Sequence, residues 1–144
     1  MKGTLVELSE VPDNVFAEGM MGTGFAIEPK DGKIYSPVNG KIDNVFPTKH
    51  AMGIISDEGK EILIHMGIDT VKMDGNGFEV LVQEGEMVEA GQPVAKMDIE
   101  KVKKAGHKAT VMVVFTNIAE YQLVLKKTGE VSKGEKDIAV FERK

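Results

Sequence analysis

Apolar residues in this chain come in short runs, each closed by a cluster of Gly, Pro, Asn, Asp or Ser. Runs at residues 3–8, 20–27, 33–36, 41–46, 51–55, 78–82, 93–97, 111–116 and 137–141 are mostly rich in β-branched residues, and several alternate apolar with polar positions. Period-two alternation bounded by turn residues is the pattern of half-buried strands. The turns are explicit at Pro29-Lys30-Asp31-Gly32, Pro37-Val38-Asn39-Gly40 and Ser56-Asp57-Glu58-Gly59. Gly22 and Gly24 mark a bend or a close backbone approach. Two stretches carry helical signals. Asn117-Ile118-Ala119-Glu120 has the spacing of a capping box ahead of residues 121–127, and Gly129 stands where such a helix would stop. Residues 98–106 predict a second, shorter helix. The whole pattern predicts one all-β domain over residues 1–144, an antiparallel β-sandwich or barrel with short helical segments. A chain of this length buries roughly two-thirds of its unfolded surface.

The run at residues 59–71, Gly-Lys-Glu-Ile-Leu-Ile-His-Met-Gly-Ile-Asp-Thr-Val, organises the rest. Side chains alternate between the faces of a strand, so Ile62, Ile64, Met66 and Ile68 share a core face. Leu63, His65 and Gly67 share the other, which gives the His65 ring clearance beside a residue without a side chain.

Composition narrows the classes of function. A formal net charge of −5 with no Lys/Arg cluster argues against nucleic acid. The chain has no cysteine, hence no disulfide framework, thiol nucleophile or thiolate metal site. No apolar run reaches the ~18 residues of a membrane span. Glu7 and Glu10 break up any signal-peptide core, so the expectation is a cytoplasmic protein without membrane insertion.

Candidate chemistry begins with a histidine pair. His50 precedes His65 by fifteen positions across a turn, which predicts a hairpin. With a four-residue loop at 56–59 the two face each other, Cβ atoms about 5 Å apart. A three-residue loop would send them to opposite faces. A neutral imidazole is a competent nucleophile near pH 7, and a second one is placed to donate to an anion forming on the first. Thr48 stands where its hydroxyl can hold the His50 ring. The same pair, with Asp69 as a third ligand, is also a candidate zinc site. In a flat strand, however, Asp69 lies about 13 Å from His65 and approaches only if the chain bends at Gly67.

The run from Gly59 to Val71 resembles the active-site signature of the glucose-type IIA component of the bacterial sugar phosphotransferase system, position by position: glycine, an apolar triplet, histidine, apolar, glycine, apolar, any residue, threonine, valine. Val11-Pro12-Asp13, Val15-Phe16-Ala17, Ser36-Pro37-Val38-Asn39-Gly40, Phe46-Pro47-Thr48-Lys49-His50-Ala51, Glu84-Gly85 through Gly91-Gln92-Pro93, and Val113-Val114-Phe115-Thr116-Asn117 resemble the same family. The resemblance implies a phosphocarrier that accepts a phosphoryl group from phospho-HPr and passes it to the cysteine of the IIB domain of a sugar permease. It implies His65 as phosphoryl acceptor, His50 as supporting histidine, Thr48 as the hydroxyl that orients it and Asp69 as a nearby carboxylate. It further implies partner docking on an apolar rim of Val15, Phe16, Met21, Phe46, Leu63 and Val71, with neither cofactor nor metal. Family domains usually carry a short Pro-Leu-Ser-Gly segment before the position of Gly3, which here follows Met1-Lys2. A free-standing protein and a domain of a larger permease both remain open.

Two rivals share parts of this pattern. His65-Met66-Gly67-Ile68-Asp69 fits the His-x-x-x-Asp element of zinc endopeptidases of similar architecture. The chain has no His-x-His partner element, because His107 stands alone in what reads as a solvated loop. Val71-Lys72-Met73-Asp74 and the glycine-spaced segment 85–94 resemble biotinyl or lipoyl carrier domains. Those need only ~80 residues, and Lys72 lies outside a symmetric hairpin.

Overall fold

A computed structural model describes the backbone at residues 3–7, 23–57, 59–68, 70–115, 121–125, 129–131 and 139–143, and side chains within 24–57, 59–68, 70 and 72–115. The strands in chain order are β1 (Gly3–Glu7), β2 (Thr23–Pro29), β3 (Lys33–Tyr35), β4 (Gly40–Val45), β5 (Ala51–Ser56), β6 (Glu61–Met66), β7 (Phe78–Val80), β8 (Met87–Val88), β9 (Pro93–Met97), β10 (Val111–Phe115), β11 (Tyr121–Leu125), β12 (Gly129–Val131) and β13 (Ala139–Arg143). Among the described residues, a 3-10 turn spans Thr70–Met73 and a short helix, α1, spans Ile99–Lys104. Asp98 caps α1 by accepting from the Lys101 backbone N–H at 3.1 Å.

Eight strands form one antiparallel sheet in the order β12-β1-β2-β10-β6-β5-β4-β8. A three-stranded sheet, β3-β9-β7, closes over it to make a sandwich. Its core joins Phe25, Ile27, Ile42, Met52, Ile54, Ile62, Ile64, Met66, Val111, Val113 and Phe115 of the large sheet to Ile34, Phe78, Val94 and Met97 of the small one. Burying each large apolar side chain contributes ~1.5–3 kcal/mol against chain entropy. Gly24 on β2 lets β10 come close, since a Cβ there would sit 1.9 Å from the Val113 carbonyl oxygen.

The all-β expectation holds, and α1 lies within residues 98–106 where a helix was expected. The expected helix at 117–127 does not form over its described part. Tyr121–Leu125 is strand β11, paired antiparallel with β13, and Gly129 opens β12. A local capping signal lost there to a partner strand; β-structure depends on such non-local pairing more than on local propensity. Residues 116–120 lie outside the described part of the chain.

Candidate functional site

His65 is the fifth residue of β6, an interior strand with β10 on one side and β5 on the other. Its neighbours across the ladders are Met112 and Ala51, both fully buried. The face it occupies is turned away from the main core and carries a second, smaller apolar cluster of Ala26, Ile68, Met112 and Val114, with Leu63 packed against it. Ile62, Ile64 and Met66 take the main-core face as the alternation predicts. Ile68 does not. The strand ends at Met66, and Gly67, at φ +83°, turns the chain so that Ile68 packs on the histidine face.

Gly67 is not the open space that the alternation suggested. A Cβ there would lie 2.4 Å from Thr70 Cγ2 and 3.0 Å from the Lys108 carbonyl oxygen. What Gly67 offers His65 is its own carbonyl, 2.7 Å from Nδ1. A carbonyl only accepts, so Nδ1 is the protonated nitrogen and the one basic lone pair of the neutral ring lies on Nε2.

His50 reaches His65 by a route that the hairpin argument missed. The β5–β6 register pairs Ala51 with His65, so the loop has three residues, 57–59, and Met66 stands opposite His50, donating its N–H to the His50 carbonyl at 2.7 Å. In a regular strand this register would put His50 on the wrong face. His50, however, precedes β5 and escapes the alternation. The chain turns tightly at 46–51, with Lys49 N–H on Phe46 O at 2.8 Å, Phe46 N–H on Ala51 O at 3.1 Å, and Lys49 in the left-handed region at φ 61°. The two imidazoles meet edge to face, with centroids 4.8 Å apart and planes at 81°.

The His50 ring is held on both flanks. Thr48 Oγ1 lies 2.5 Å from its Nδ1, and the Phe46 ring meets it edge-on at 5.7 Å between centroids. His50 is almost fully buried, and burial first, then the neighbouring His65, lowers its pKa from 6.5 to about 4. His50 is therefore neutral at pH 7, with one proton to share between Thr48 and the side facing His65.

Residues 1–121 match the family described as the phosphoenolpyruvate-dependent sugar phosphotransferase system, EIIA 1. This chain belongs to that family. Among EIIA proteins, it is 40% identical over 139 residues to the glucose-specific EIIA component of Staphylococcus epidermidis, covering 96% of this chain and 84% of that protein. It is 44% identical over 138 residues to the glucoside-specific EIICBA component of Staphylococcus carnosus, and 45% identical over 141 residues to the beta-glucoside-specific EIIBCA component of Bacillus subtilis. The chain spans only 20% and 23% of the length of these two relatives. The solved structure of glucose permease IIA from Mycoplasma capricolum superposes with a TM-score of 0.88 at 44% identity, covering 97% of this chain and 89% of that one.

Of the residues singled out in this EIIA chain, the structure brings together His65, His50, Thr48 and Phe46, with Leu63 half-buried on the same face as His65. Asp69, Val15, Phe16 and Met21 lie outside the described residues, as does the side chain of Val71. His107 lies in the loop after α1, as expected, and is half-buried there. Lys72 is exposed on the 3-10 turn. Among the described residues, no group of three His, Cys, Asp or Glu side chains is placed to hold a metal ion. No helix among them is long and apolar enough to cross a membrane. Sequence reasoning missed the Gly67 carbonyl and the ring of Phe46 against His50. The glycine two positions after the histidine was visible, but its φ and the direction of its carbonyl are not sequence properties.

Proposed function

We propose that this chain is a cytoplasmic phosphocarrier that takes a phosphoryl group from phospho-HPr onto Nε2 of His65. It hands the group to the cysteine of the IIB domain of a sugar permease. The observation that supports this best is the hydrogen bond from His65 Nδ1–H to the Gly67 carbonyl, at 2.7 Å. That bond fixes the tautomer whose Nε2 is nucleophilic. In the acceptance step the donor's N–P bond breaks as the Nε2–P bond forms, and the donor imidazole leaves. Positive charge then gathers on the His65 ring, and the Gly67 carbonyl stabilises it through Nδ1–H.

His50 serves as a neutral donor to the phosphoryl oxygens. When the Thr48 hydroxyl donates to Nδ1, the single proton of His50 sits on Nε2, the other end of the ring. Its lowered pKa keeps it from competing for a full charge, so the phosphoryl group is supported by hydrogen bonding. By its resemblance to the family signature, Asp69 is assigned a supporting carboxylate role in the relay. Phe46 and Leu63 are assigned to partner docking, and by resemblance to the family Val15, Phe16, Met21 and Val71 are assigned the same role. Neither cofactor nor metal is needed, and the chain acts as one domain. Incubation with labelled phospho-HPr and then a IIB domain tests the proposal: label moves to this chain, is lost in acid, and is discharged to IIB. Failure of the chain to take label from phospho-HPr refutes it.

A further inference from the structure

We propose that Thr70 is a positioning residue for His65, acting through Gly67, and that its hydroxyl sets the tautomer of the histidine ring. Thr70 is fully buried. Its Oγ1 donates to the Met66 carbonyl at 2.5 Å, so the hydroxyl spans the bend that follows β6. Its methyl lies where a Cβ on Gly67 would fall, 2.4 Å from that point. The Gly67 peptide is thus held on three sides. Its N–H donates to the Thr110 carbonyl at 2.8 Å, the methyl of Thr70 blocks its Cα, and the preceding carbonyl is tied to the Thr70 hydroxyl. The next residue is held as well, with Ile68 N–H on the Lys108 carbonyl at 3.0 Å. With these restraints in place the Gly67 carbonyl has one direction, toward Nδ1 of His65 at 2.7 Å.

In this chain of contacts Thr70 acts on His65 through the Gly67 peptide. It acts by keeping a backbone acceptor aimed. An imidazole free in water prefers its proton on Nε2, the atom that has to be unprotonated to accept phosphorus. The aimed carbonyl reverses that preference, and Thr70 keeps it aimed. Serine would lack the methyl, and valine would lack the donor.

The test is Thr70→Val, which keeps the shape and removes the donor. Nitrogen-15 NMR of the ring reports the tautomer directly, and labelling by phospho-HPr reports its consequence. The expected result is a folded protein whose His65 shows a mixed tautomer. Labelling should be about tenfold slower, the size produced by one lost hydrogen bond of ordinary strength. Thr70→Ser should restore the Nδ1–H signal. Unchanged His65 ring shifts and an unchanged labelling rate in Thr70→Val overturn the inference. Should Thr70→Val not fold, Thr70→Cys is read against Thr70→Ser: both lack the methyl, and only the thiol donates weakly, so the difference between them reports the donor. A partial tautomer shift supports the inference there, and wild-type ring shifts overturn it. The rate arm rests on the phosphocarrier reading; the NMR arm does not. A wild-type chain that takes no label therefore refutes that reading, while the ring shifts still decide the role of Thr70.

Discussion

Replacing Gly67 with alanine tests the bend on which the site depends. Alanine at φ +83° meets the left-handed penalty of ~1–2 kcal/mol. Its Cβ would also lie 2.4 Å from Thr70 Cγ2 and 3.0 Å from the Lys108 carbonyl. Thr70 is fully buried and tied to Met66, so it has little room to yield, and such overpacking costs ~1–3 kcal/mol. The sum is about 2–5 kcal/mol. A chain of this size loses ~2–4 °C of Tm per kcal/mol, so the expected fall is about 4–20 °C. Relief of the clash also swings the Gly67 carbonyl away from Nδ1, so labelling slows even where the variant is folded. Circular dichroism melts and phospho-HPr labelling at a temperature below both transitions measure the two effects. A Tm within ~2 °C of wild type, with normal labelling, would show that the backbone at 67 is neither strained nor fixed.

Two further predictions concern His50. Its folded-state pKa, about 4, lies below the 6.5 of the unfolded chain, so between these values the unfolded state binds more protons and stability falls as pH falls. Wild type should lose roughly 3 kcal/mol from this group on acidification from pH 7 to below 4, and urea melts across that range should show His50→Gln losing correspondingly less. In the relay, His50→Gln should still take phosphate from phospho-HPr but discharge it to the IIB domain ~10²–10³-fold more slowly, because its donor matters most as the His65–phosphorus bond breaks. Separate scoring of labelling and discharge measures this, and normal discharge would remove His50 from the transfer.

Much of this site was legible in the sequence because it rests on local pattern. The alternation around His65 separated the core residues Ile62, Ile64 and Met66 from the histidine and Leu63. Thr48 lies two residues from His50, close enough for spacing alone to suggest the contact now seen at 2.5 Å. The facing of the two histidines was reached through the wrong register. It survives because Lys49 and His50 lie in a turn, and a period-two argument applies only inside a strand. Ile68 was assigned to the wrong face for the same reason, since the period ends at Gly67. The strand at Tyr121–Leu125 was read as helix because its partner, Ala139–Arg143, is distant in sequence, whereas the capping signal is adjacent. The Gly67 carbonyl was missed because backbone direction carries no residue-type signature.

The most direct test is to locate the phosphoryl group. The chain is incubated with phospho-HPr, and any modified nitrogen is assigned by phosphorus-31 and nitrogen-15 NMR, with His65→Ala as control. The tautomer fixed by Gly67 predicts phosphorus on Nε2 of His65 and no acid-labile label in the variant. Phosphorus on Nδ1 of His65, or on another residue that His65→Ala leaves labelled, would contradict it.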